Sequence, residues 1–149
     1  MKICLIVLLE LACTLAVVAQ DPGPSCCDLK IDSDQKPAGV VKVIVTNLDR
    51  PLIRVLQSLN GDDLEAEVTI GTGREAERTE YGKRRLKGII GGSRLLRELK
   101  AREGFSEELD LRKLFELESG TTYIVTIRRN VLVDGYRVGL RAKGSVSMP

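Results

Sequence analysis

Apolar and polar residues alternate at a period of two through much of this chain, the spacing that gives a strand one buried and one wetted face. From Gly39 to Thr46 the pattern puts Val41, Val43 and Val45 on one side, and Asn47 to Pro51 reads as a turn. Leu52 to Leu59 follows as a second strand with Ile53 and Val55 inward, then Asn60 to Asp63 as another turn. Leu64, Ala66, Val68 and Ile70 alternate cleanly with Glu65, Glu67 and Thr69. Near the C-terminus, Tyr123, Val125 and Ile127 alternate with Thr122, Ile124, Thr126 and Arg128. Val138, Leu140 and Ala142 then alternate with Arg137, Arg141 and Lys143. Repeated short strands with intervening turns predict an all-β sandwich or barrel.

Local rules conflict at Ser93 to Gly104. Ser93 as an N-cap, Gly104 as a stop and Leu95, Leu96 and Leu99 on one side spell a helix; Leu95, Leu99 and Ala101 inward, with Arg97 as the exception, spell a strand. The strand is the expectation taken here. Asp110 is placed to cap a single helical turn over Leu111 to Phe115. Immediately afterwards, Leu117, Gly120 and Tyr123 form the corner at which many sandwiches enter a late strand. The Tyr ring goes into the core and its hydroxyl bonds to the preceding loop.

Composition narrows the chemistry. There is no His among the 149 residues, which removes the usual general base and any Ser-His-Asp or Cys-His nucleophile system. No Trp, three Tyr and two Phe leave little for stacking sugars or single-stranded nucleic acid. The formal charge of +2 is the difference of 23 basic and 21 acidic residues, a balance that argues against a dedicated nucleic-acid binder. Gly71-Thr72-Gly73 lacks the Gly-Lys-Ser/Thr of a phosphate loop and reads as a turn. Asp32 with Asp34, and Asp62 with Asp63, lack the further oxygen ligands of a calcium site. Glu107, Glu108 and Asp110 read as solvated loop carboxylates rather than a catalytic pair. No cofactor and no metal are expected.

Met1-Lys2, the apolar run Ile3 to Val18 and Ala19 have the form of a secretory signal peptide over 1–19, interrupted by Glu10. Cleavage after Ala19 leaves about 130 residues, enough for one domain. Cys13 follows Leu11-Ala12, but Glu10 stands where a lipoprotein site needs Leu. No transmembrane segment is expected in the mature chain. Residues 20–38 read as a Pro- and Gly-containing leader before a domain over 39–149. In that leader Cys26 and Cys27 are adjacent, a spacing that strains any bond between them. They are candidates for an intermolecular disulfide and so for a disulfide-linked dimer, with an incidental pair on a tether as the favoured alternative.

Three blocks resemble uncharacterised secreted bacterial proteins with an immunoglobulin-like or fibronectin type III-like β-sandwich: Val43 to Leu52, Thr79 to Lys83, and Leu109 to Arg129. The resemblance implies a single immunoglobulin-like antiparallel sandwich in which Thr79 to Lys83 makes a Tyr-Gly-Lys turn, and it implies a secreted, periplasmic or cell-envelope location. Ser119 departs from the Pro that usually precedes the corner Gly. No activity attaches to the resemblance.

Charge placement carries what functional content remains. From Tyr81 to Arg102 there are eight basic residues against Glu98 alone. Lys83, Arg84, Arg85 and Lys87, with Arg137, Arg141 and Lys143 on the final strand, are the candidate anion-binding residues if the two stretches share a face. The expectation is a non-enzymatic binding or structural module, with an unidentified protein or an anionic envelope or glycan surface as partner and no specific nucleic acid. One alternative is a polyanion-binding face. Another is a protease-inhibitor-like sandwich presenting a loop at Gly88 to Gly92. Otherwise the charges keep sheet edges soluble.

Overall fold

The computed structural model of the chain describes residues 25–34, 37–56, 64–86 and 96–149. In chain order the elements are β1 (Cys27–Asp32), β2 (Val40–Asn47), β3 (Leu52–Leu56), β4 (Leu64–Ile70), α1 (Glu80–Leu86), β5 (Leu96–Lys100), β6 (Gly104–Asp110), α2 (Leu111–Leu114), β7 (Thr122–Val133) and β8 (Tyr136–Ser147). Strands β1, β2 and β6 make one antiparallel sheet, and β3, β4, β5, β7 and β8 make the other. The two sheets pack together as an all-β sandwich, as the alternating pattern predicts.

The period-two pattern accounts for the core. Val41, Val43 and Val45 are fully buried, as are Val55, Val125 and Ile127 from the opposing sheet. Each such side chain contributes roughly 1.5–3 kcal/mol by leaving water. The twelve residues of β7 organise the larger sheet. Along one side, β8 runs the full length, pairing Ser147 to Tyr136 with Thr122 to Val133. On the other side, β4 pairs Leu64 to Ile70 with Arg129 to Tyr123, and β3 pairs Ile53 to Val55 with Val133 to Val131. Thus β3 and β4 lie end to end against β7 rather than against each other. The turn expected at Asn60 to Asp63 falls outside the described residues.

Two chain crossings hold the sheets in register. At the first, between β2 and β3, Asn47 is fully buried; its amide donates to the carbonyls of Arg50 and Leu99, and its oxygen accepts from the Arg50 N–H. At the second, Asp110 caps α2 by accepting from the Arg112 N–H, and the chain then enters β7 at Tyr123. The Tyr123 ring is buried and its hydroxyl accepts from the Glu118 N–H at 2.8 Å, as the corner pattern predicts. Gly120, at φ +74°, supplies the left-handed turn between them.

Several expectations need correction. The leader over 20–38 does not stop short of the sandwich: Cys27 to Asp32 is β1, paired with β2 from Asn47 to Lys42, because Cys27, Leu29 and Ile31 continue the period-two pattern of the core. Thr79 to Lys83 is not a turn but the start of α1, since the Thr79 hydroxyl accepts from the Gly82 N–H in the manner of an N-cap. Residues 96–100 form the expected strand with Leu99 inward. Ala101 is exposed, because the strand ends at Lys100 and the chain turns through Arg102 at φ 67°. Glu107 and Glu108 lie on a strand rather than a loop.

Candidate functional site

The polar groups that sequence reasoning nominated divide into those the fold uses internally and those it leaves on the surface. Glu107 is internal. It points inward from β6 and pairs with Arg129, whose side chain is fully buried on the inner face of β7. Arg129 also donates to the Leu56 carbonyl at 2.6 Å, satisfying the backbone where β3 ends beside β7. Its guanidinium lies 5.7 Å from the centre of the Phe105 ring, and Arg97 covers the same ring at 5.3 Å. Asp110 is occupied by the α2 cap and an ion pair with Arg112. Asp32 accepts from the Asp34 N–H in a local Asx turn.

Cys26 and Cys27 are both buried thiols, hydrogen-bonded to each other at 3.5 Å rather than joined in a disulfide. Burial is the first cause, and the neighbouring Cys26 the second, that push the Cys27 thiol up to about 12. A thiol held protonated and covered is a poor partner for disulfide exchange. The tether reading is therefore replaced: both side chains belong to the core.

The basic residues do not share one face. Lys83, Arg84 and Arg85 lie on α1, which packs beside β4 and α2. Arg137, Arg141 and Lys143 lie on β8, across β7 from β4. Within α1, Lys83 pairs with Glu80, which raises its pKa, while Arg85 is buried against Leu64, Ala66 and Leu114, and that desolvation lowers its pKa. Lys83 and Arg84 are exposed, and only Lys83 of these two has an acidic partner, Glu80. Lys87, Arg94 and the loop Gly88 to Gly92 lie outside the described residues.

The β4 flank is closed. Residues 74–78 run back along it, with the Ile70 N–H donating to the Arg74 carbonyl and the Ala76 N–H to the Val68 carbonyl. Arg78 reaches the Ala66 carbonyl and stacks on Phe115. The same strap joins the smaller layer's end through Thr79 N–H to Leu114 and Glu116 N–H to Glu77. Beyond it Gly82 sits so close to Leu114 that an added Cβ would lie 2.2 Å from the Leu114 carbonyl oxygen.

The β8 flank is open. Among the described residues the backbone ladder of β8 runs with β7 alone. The two strands join through Asp134 at φ 51° and Gly135 at φ 84°, a two-residue turn of the type whose flanking residues form a hydrogen-bonded pair. Even-numbered residues of β8 therefore bond to β7, as the Met148 N–H to Thr121 carbonyl bond shows just beyond the strand. Gly139, Arg141, Lys143 and Ser145 turn their N–H and C=O groups away from β7, and the side chains of Arg141, Lys143 and Ser145 lie on the sheet's outer face.

Across that outer face the charges sort by strand. Glu65 and Glu67 on β4 both hold Arg128 on β7, at 3.6 and 3.2 Å. Arg141 stands opposite Arg128 on β8 and Lys143 opposite Thr126. Both are exposed and, among the described residues, neither forms an ion pair. Between the β8 edge and the edge of the smaller sheet runs a groove of about 270 Å³ lined by Ser25, Cys27, Asp28, Leu29, Leu48, Leu140 and Arg141. Farther along β8, the Ile31 side chain of β1 packs against Gly144, where an added Cβ would meet it at 3.4 Å. No protein-family model matches the chain, and no curated protein matches it.

Proposed function

We propose that this protein is an exported, non-enzymatic binding module that engages an acidic partner through β8. The observation that carries the reading is the long, one-sided β8 strand, whose outer face presents Arg141 and Lys143 with no ion pair among the described residues, while Glu65 and Glu67 hold Arg128, Glu98 holds Arg54 and Asp28, beside Arg141 in the groove, pairs with Lys30. Support for a non-catalytic role comes from the carboxylates: Glu107, Asp110 and Asp32 are each engaged in fold-internal bonds, and the chain has no His to serve as a base. Export rests on the signal-like N-terminus alone.

Retention on immobilised heparin, a generic polyanion, across a salt series tests the reading. The natural protein is compared with the double variant Arg141→Glu, Lys143→Glu and with Arg84→Glu on α1. Counterion release makes the retention steeply salt-dependent. Loss in the β8 variant with retention kept in Arg84→Glu is the expected outcome. Equal retention of all three proteins places the charges among ordinary surface solubilisers.

A further inference from the structure

We infer that β8 accepts an added strand: an extended segment of another protein in which acidic and apolar residues alternate. This rests on the binding role proposed for β8 and specifies its partner. Three features converge on it. The backbone groups of Gly139, Arg141, Lys143 and Ser145 point to the side of β8 away from β7, where a ladder can continue. On the outer face, Arg141 and Lys143 are two residues apart, roughly 7 Å along the strand, which is the spacing of successive same-face side chains on an added strand. Acidic residues at alternate positions would stand directly opposite them. On the inner face, the incoming strand would lay its apolar residues over Leu29, Leu48 and Leu140 in the groove, whose one carboxylate, Asp28, is already paired with Lys30, and Leu48 is 45% exposed without such cover. A polyanion of any backbone satisfies only the second feature.

A second copy of this chain fits poorly. Two β8 strands paired antiparallel about a two-fold centred on Gly139 put Arg137 opposite Arg141; centred on Leu140 they put Arg137 opposite Lys143; and centred on Arg141 they oppose that residue to itself. Like charges directly opposite each other destabilise the pair, so the row of cations that favours an acidic strand disfavours self-pairing.

The test uses a fluorescein-labelled peptide of about ten residues with strictly alternating Glu and Val, the length of strand the edge can seat. It is run beside a permuted peptide of the same composition with all Glu residues together, and beside an alternating peptide N-methylated on the edge that would face β8. Fluorescence anisotropy with the full-length protein should show binding of the alternating peptide that weakens at least about tenfold on permutation and again on N-methylation. Gly139→Pro removes an outward-pointing N–H without touching a charge and should lose peptide binding to a similar degree while keeping heparin retention. The N-methylated peptide makes the same point with the protein unaltered. Equal binding of the alternating and permuted peptides overturns strand addition but leaves the acidic-partner reading standing. No binding of any peptide together with no salt-dependent heparin retention overturns both. Concentration-dependent dimers in sedimentation that exclude the peptide would assign the edge to a second copy and overturn the inference.

Discussion

The two flanks of the larger sheet solve the same problem in opposite ways. Both β4 and β8 border β7, and each must account for one row of backbone groups that β7 does not bond. On β4 the following residues fold back as a strap, Arg78 satisfies the Ala66 carbonyl, and α1 presses against α2 to seal the flank. On β8 no such cover is present among the described residues, although the strand is twelve residues long. Long exposed edges invite pairing with other chains, and basic side chains are one way to restrict which chains pair. On the function proposed above, β4 maintains the fold and β8 meets a partner. Substitutions on the closed side should accordingly cost stability, whereas changes on the open side should alter binding and little else.

The largest effect is expected where the closed side is anchored to the opposing sheet. Glu107→Ala strands the Arg129 charge in the core beside Phe105 and should lower unfolding free energy by about 3 kcal/mol. Denaturant titration measures it, and a loss below about 1 kcal/mol would mean that water reaches Arg129 and that the pair does not anchor the joint. Next come two matched glycines. Gly82→Ala sets a methyl against the Leu114 carbonyl and should cost about 2 kcal/mol as α1 is forced off α2. Gly139→Ala meets only the Asn130 side-chain oxygen, at an ordinary 3.6 Å, and should stay within about 0.5 kcal/mol of the natural protein. Equal costs at the two positions would erase the distinction between flanks. Smallest among the destabilising changes, Tyr123→Phe should cost about 1 kcal/mol by leaving the Glu118 N–H without its acceptor. An unchanged unfolding midpoint would remove the hydroxyl from the account of the corner.

How much of this could be read from the sequence depends on the range of the interaction concerned. The Tyr123 corner was legible because ring, glycine and cap fall within the fourteen residues from Asp110 to Tyr123 and each is demanded by local geometry. Strand faces were legible for the same reason, since a period of two is a local property. The α1 helix was missed, although Thr79 as a cap, Glu80 in the first turn and basic residues in the last are its usual marks; Gly82 reads locally as a turn, and only the approach of Leu114 explains it. Arg129 was hidden by its own chemistry. It continues the inward row of Tyr123, Val125 and Ile127, but an arginine in that row reads as the end of the buried face until Glu107 is known to lie opposite. The site shows the same split. Arg137, Arg141 and Lys143 were legible as one outward row on β8, but their distance from Lys83, Arg84 and Arg85 depends on which strands border β7, a fact of long-range pairing.

Residue-resolved amide hydrogen exchange on the unliganded full-length protein tests the contrast between the flanks most directly, because it reads each strand's two edges separately. The account predicts slow exchange at Ile70 and Ala76, whose N–H groups are bonded within the strap, and at Leu140 and Ala142, which face β7. Gly139, Arg141, Lys143 and Ser145 should exchange at least about a hundredfold faster than their even-numbered neighbours. Protection of those four amides equal to that of Leu140 and Ala142 would mean that the β8 edge is already occupied, and would contradict the claim that it stands open for a partner.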